Sequence, residues 1–207
     1  MISGNLVSLI ISIPIFIFAM VIHEVAHGWV AYKLGDPTAK YSGRLTLNPI
    51  SHIDPLGTIL LPILLIMMNS PVVFGWAKPV PINFLGLRNP KRDIMTVGLA
   101  GPMANIIFAF ILAAVFRLFP VLHAPVISDI FFGSILVNLV LAAFNLIPIP
   151  PLDGSRILFG LLPRDLAAKY MSIERYGFII LYILIWMGFL DNFVNPLVVI
   201  LARIIGI

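Results

Sequence analysis

The chain has 207 residues, of which 60% are hydrophobic and 11% charged, with a formal net charge of +4. A soluble domain carries about a quarter charged residues, so a water-soluble fold is excluded and an all-α membrane protein is expected, a polytopic helical bundle occupying residues 1–207 as one domain. The chain contains no cysteine, which rules out disulfides and thiolate metal ligands, and so small a net charge calls for no nucleic-acid partner.

The first predicted helix runs from Leu6 to Tyr32, roughly 40 Å at 1.5 Å per residue, long enough to cross a bilayer with tilt. Pro14 predicts a kink. No basic region or cleavage site precedes it, so it reads as a retained span rather than a signal peptide. Its first two thirds carry no charge, yet the last third contains Ile22-His23-Glu24-Val25-Ala26-His27-Gly28. This is the pattern H-E-x-x-H. Residues four apart share one face of a helix, so His23 and His27 can aim both imidazoles at one point, as the first two ligands of a zinc ion must. Glu24, one position on, can reach a water on that metal and take its proton. Ionisable groups buried in a membrane are costly, and mark function by default.

Gly35-Asp36-Pro37 ends the first helix. Ala39 to Leu47 partly alternates polar and apolar residues and predicts a short strand or extended segment at the interface. Asn48 to Pro55 holds two prolines, which argue against a helix. Gly57 to Met68 is apolar but only roughly 18 Å long, which suggests a re-entrant or half-spanning segment. Asn69 to Pro90 is punctuated by proline and glycine and reads as an extended loop. Val72–Phe74 is a candidate strand in it, so a small β-sheet on the cytoplasmic side is expected. Ile94–Phe116 and Ile130–Ile147 are the second and third spans, roughly 34 and 27 Å long. Gly98, Ala100, Gly101 and Ala104 suit close helix contact in the second span. Phe178–Leu190 and Leu197–Ile207 form one broken span or two half-spans.

Lys and Arg gather in 33–44, 78–92 and 156–175. Basic loops face the cytoplasm, so the N-terminus lies outside, the first and third spans descend, and the second ascends. His23 and His27 then lie near the cytoplasmic end of one span, and Asp153 near that of another, at similar depth. Asp153 is thus the candidate third ligand, giving the three-ligand zinc site with an open position that hydrolytic enzymes use. Asp153-Gly154 also reads as a turn, and His52 is the alternative ligand, although a loop histidine at the interface is usually solvated. Pro148, Pro150 and Pro151 keep the approach to Asp153 extended, which is tolerable in a membrane only where backbone lines a cavity. Asn145 reads equally as an interhelical hydrogen bond or as a donor to the substrate. Asn105 and His123 carry weaker signals.

Together, His23-Glu24-x-x-His27-Gly28 and Asn145-x-x-Pro148-x-Pro150-x-Leu152-Asp153-Gly154 resemble the site-2 protease family of intramembrane zinc metalloproteases, with Ala100-Gly101-Pro102-x-Ala104-Asn105 similar to a further segment of its core. The resemblance implies one zinc per chain held by His23, His27 and Asp153, Glu24 as the base, and Asn145 in contact with substrate. It also implies cleavage of a transmembrane segment of another protein within the lipid bilayer of a bacterial or archaeal cell membrane, with the active site toward the cytoplasm. Relative to many members, this is a minimal form without a PDZ or CBS domain. A metal or ion transporter is the competing function for intramembrane His and Asp, but it calls for more than one site and no base beside a ligand. A catalytically idle scaffold is the third reading.

Overall fold

The computed structural model describes residues 2–68 and 75–207. Among them the chain is helical: α1 (Ile2–Lys33), α2 (Thr38–Tyr41), α3 (Leu61–Met67), α4 (Pro90–Leu118), α5 (Pro125–Asn145), α6 (Asp153–Leu161), α7 (Arg164–Met171), α8 (Gly177–Trp186) and α9 (Asn195–Ile205). Three helices, Ile13–Lys33 within α1, α4 and α5, are long and apolar enough to cross a membrane. Their outward faces carry exposed apolar side chains, including Ile107, Phe110 and Ile111 on α4 and Phe132 and Leu136 on α5. A patch of that kind is unfavourable in water and natural against lipid. The chain is a multi-pass membrane protein.

α4 is the axis of the bundle and packs against α1, α5 and α6. Its buried side carries Gly98, Gly101, Asn105, Ala109 and Ala113, spaced three or four residues apart and so aligned in one stripe. Small residues let neighbouring helices approach closely, and two glycines show how closely. A methyl on Gly98 would meet Arg156 Cβ at 2.8 Å, and one on Gly160 would meet Met95 Cβ at 2.6 Å. α6 therefore lies directly on the first half of α4. Beyond Asn105 the stripe enters an apolar core with Ile135, Leu139 and Ala143 of α5, Leu181 of α8, and Val198 and Ile205 of α9. A smaller cluster joins Ala31 of α1 to Leu87 and Val97 at the other end.

The expected small β-sheet is absent, since no strand forms among the described residues. Val72–Phe74 lies outside those residues. In 39–47, the Asp36 carboxylate accepts the Thr38 backbone N–H at 3.0 Å, an Asx-type turn that launches α2. The chain then reverses at Gly43 (φ 64°) with Arg44 N–H donating to Ala39 O at 2.9 Å. Backbone groups that a strand would offer to a partner are satisfied locally, which the alternating pattern could not reveal. The 55–67 segment is a short apolar helix, a π-turn over Pro55–Leu60 leading into α3, of the half-spanning length expected. The C-terminal runs form two short helices, α8 and α9, separated by a π-turn over Leu190–Val194.

Candidate metal centre

His23 and His27 are one turn apart on the side of α1 that faces α4, and both are buried. Asp153 opens α6, where the chain emerges from the proline-rich link after α5. The structure brings the three together. Asp153 Oδ2 lies 2.9 Å from His23 Nε2 and 3.1 Å from His27 Nε2, and one ligand atom from each residue lies within 4.8 Å of the others. Asp153 and Gly154 do not form a tight turn. They begin a helix, and Gly154 is required because a Cβ there would strike the carbonyls of Leu146 and Ile147.

The protonation pattern follows from the outer partners of the rings. His27 Nδ1 lies 2.7 Å from the backbone carbonyl of Val97, which can only accept, so the proton of the neutral ring sits on Nδ1. His23 Nδ1 lies 2.6 Å from Asn105 Oδ1. The amide orientation is set in turn, because Asn105 Nδ2 donates to Ala19 O at 3.1 Å and to Asn138 Oδ1 at 2.7 Å. Asn138 Nδ2 closes the relay on Ser134 O at 2.8 Å. Both Nε2 atoms thus present lone pairs to a carboxylate oxygen that also carries lone pairs. With both rings neutral, three acceptors converge in a buried pocket, and such a set is satisfied by a cation. Two neutral imidazoles and a carboxylate form a common zinc donor set, and ligands at zinc bonding distance on a tetrahedron stand about 3.3 Å apart, close to the separations seen. Partners on the far ring nitrogens are what ligating histidines ordinarily have. The residues fit a zinc ion.

Gly101 of α4 completes the pocket. A methyl group there would overlap Nε2 of both histidines, so this position admits only glycine if the rings are to keep their places. Glu24 sits half-buried beside His23, and its Oε2 accepts the Val80 backbone N–H at 2.8 Å. Val80 belongs to a non-helical stretch anchored on either side, Lys78 N–H on His52 O at 2.8 Å and Asn83 N–H on Asp36 Oδ2 at 2.7 Å.

Three sequence candidates stay outside the cluster. Asn145 ends α5 half-buried, with its Nδ2 donating to Leu141 O of its own helix at 3.0 Å. His52 is buried rather than solvated, and its Nε2 is held by Thr46 O at 2.9 Å. His123 lies at the far end of α4 against Phe116 O. Asn138 and the Val97 carbonyl had no signature in the sequence. Asn105 had a weak one, an amide in line with Gly98 and Gly101.

The chain matches the model of peptidase family M50 over residues 121–190. It is 44% identical over 191 residues to "Putative zinc metalloprotease YwhC" of Bacillus subtilis, covering 87% of this chain and 78% of that one. It is 30% identical over 171 residues to the protein of Mycolicibacterium smegmatis named in the same terms as Rip2, where the match takes in 82% of this chain and 64% of the relative. "Zinc metalloprotease MJ0392" of Methanocaldococcus jannaschii shares 27% identity over 146 residues, 70% of this chain and 32% of its own. No solved structure matches significantly.

Proposed function

The chain belongs to peptidase family M50, the site-2 protease family of zinc metalloproteases, and from that premise we propose that it is an intramembrane endopeptidase that cleaves transmembrane segments of other membrane proteins. The observation that carries this reading is the convergence of His23, His27 and Asp153 on one point inside the bundle, with a carboxylate, Glu24, one residue from the first of them. Residues 1–207 work as one domain in this reading, in a bacterial or archaeal cell membrane, with the site toward the cytoplasm. A tag at the N-terminus is then extracytoplasmic and one within 164–169 cytoplasmic; both tags on the same side would contradict this topology.

His23, His27 and Asp153 hold the zinc. When bound, the ion polarises a scissile carbonyl and makes water a nucleophile near neutral pH. Glu24 takes the proton of the attacking water and returns it to the leaving amine. One of its oxygens is held by Val80 N–H, which fixes the carboxylate while leaving the other oxygen for water. A helical peptide bond is covered by side chains and hydrogen-bonded to its own helix, so substrate is cleaved where it is locally unwound. The 76–83 stretch is non-helical and meets Glu24 through Val80 N–H, so it offers an unwound segment a place to lie alongside the base. Asn145 contacts substrate through its carbonyl oxygen, or by giving up its bond to Leu141.

The test is Glu24→Gln in proteoliposomes with a single-span substrate. The expected result is cleavage reduced by roughly 10²–10⁴-fold, the usual contribution of a positioned acid–base group, with zinc content unchanged. A variant that still cleaves at the normal rate would remove Glu24 from the chemistry, and metal flux through the unaltered protein in place of cleavage would favour the transporter.

A further inference from the structure

Four of the chain's 13 Lys and Arg residues line one cavity. It measures about 550 Å³ and opens between the start of α4 and the end of α6, bordered by Arg88, Lys91, Arg92 and Arg164, with Met95 and Leu161 as apolar lining. No acidic residue lines it. The nearest in sequence are Asp93, which is buried with its carboxylate accepting Asn89 N–H at 2.8 Å, and Asp165, which is exposed beside Arg164. Among the described residues the one Lys or Arg paired with a carboxylate is Arg156, with Asp153, so the four basic residues of the cavity have no carboxylate partner. Like charges gathered this way repel, and the arrangement is stable only with an anion or a high-dielectric solvent between them.

Next to this cavity lies a second, of about 280 Å³, that shares Pro90, Lys91 and Arg164 and continues over Ile94, Phe159, Ala167 and Ala168. Lys91 and Arg164 thus stand between a cationic chamber and an apolar one. The pair opens at the first residues of α4, a helix that crosses the membrane, and hence at the depth of lipid headgroups. Leu161, which lines the first cavity, is 68% exposed and gives it an apolar contact for the bilayer. The floor is built rather than incidental, since Gly160 is what allows α6 to rest on Met95 and Lys91.

We propose that this paired cavity binds an anionic phospholipid, its phosphate among Arg88, Lys91, Arg92 and Arg164 and an acyl chain along Ile94, Phe159 and Ala167. Basic pockets between membrane helices recognise phosphate headgroups in this manner. The site lies at the opposite end of α6 from Asp153. Because α6 is only about 13 Å long, a lipid that ties its last turn to α4 also steadies the turn that carries Asp153.

The experiment uses the full chain in nanodiscs of phosphatidylcholine, with and without phosphatidylglycerol. It reads the thermal unfolding midpoint and the phospholipid retained after delipidation in detergent. Phosphatidylglycerol should raise the midpoint and be retained at about one per chain. Arg88→Gln/Lys91→Gln/Arg92→Gln/Arg164→Gln should lower retention by roughly tenfold or more, given the attraction of each basic residue to anionic lipid, and cancel the shift. Lys33→Gln/Lys40→Gln/Lys169→Gln/Arg175→Gln, which removes the same charge from exposed positions elsewhere, should keep both. Equal loss in the two variants would show a diffuse surface field and overturn the site, as would retention of phosphatidylcholine as strong as that of phosphatidylglycerol. An equal midpoint shift from inorganic phosphate in phosphatidylcholine discs would mean a free-anion site and overturn the lipid assignment. None of these readouts depends on proteolysis.

Discussion

The two halves of α4 use one stripe of small residues for different ends. In the second half, Ala109 and Ala113 belong to one apolar core with Ile135, Leu139 and Val198. In the first half, Gly98, Gly101 and Asn105 face His23, His27, Asp153 and Asn138, and nearly every side chain they meet is polar. Either half would let helices come close. Only the first incurs the cost of burying polar groups in a membrane, and it meets that cost with a complete set of hydrogen bonds running from Ser134 to the histidine rings. Packing accounts for the second half by itself. The first makes sense only if a cation is to be held.

The comparison breaks most visibly at Asp153. Asp153→Asn keeps size and removes charge, so zinc content and cleavage should both be nearly lost, while the fold, read by circular dichroism, persists. If the polar half were only an alternative way of packing, the amide would serve as well and zinc content would stay normal.

A paired substitution sharpens the contrast. Gly101→Ala puts a methyl against both imidazoles; overpacking of about 1–3 kcal/mol predicts a fall in zinc affinity of roughly ten- to a hundredfold. Ala113→Gly, three turns on along the same stripe, should cost about 0.5–1 kcal/mol of stability through helix propensity and leave zinc affinity alone. Competition with a chromogenic chelator measures both.

Asn105→Ala is expected to weaken zinc by roughly tenfold, at the lower end of the range for partners of ligating histidines, because α1 still holds the His23 ring near its place. An unchanged affinity would mean that the relay to Asn138 serves helix packing alone. At the far end of the scale, Leu139→Ala should destabilise the protein by about 2–5 kcal/mol through the cavity it leaves, with no change in zinc affinity of the folded fraction. A parallel loss of zinc would show that the halves are coupled.

Much of this was readable from the chain itself. H-E-x-x-H places both histidines on one face, with the proposed base beside them, because helical periodicity is a local property. Asp153 was reachable as a candidate because the basic loops set the direction of each span and so its depth, and because two histidines leave a zinc site short of its third ligand. The relay was not readable. Asn138 reaches Asn105 across two helices, and the Val97 carbonyl acts through backbone, which every residue has. His52 misled in the other direction, because loop sequence does not reveal that Thr46 and Lys78 close over it. The missing sheet had a similar cause. Asp36 satisfies the backbone at Thr38 and ties it to Asn83, an arrangement between distant segments that alternation cannot encode.

The central claim is that a single zinc ion is held by His23, His27 and Asp153. X-ray absorption at the zinc edge of the purified full chain tests it most directly. One zinc per chain, with two nitrogen ligands at about 2.0–2.1 Å and the remaining ligands oxygen at about 2.0–2.2 Å, is the predicted result, and Asp153→Ala should leave the two nitrogens in whatever zinc remains while changing the oxygen shell. Three nitrogen ligands that become two in His52→Ala, or no stoichiometric zinc in an active preparation, would contradict it.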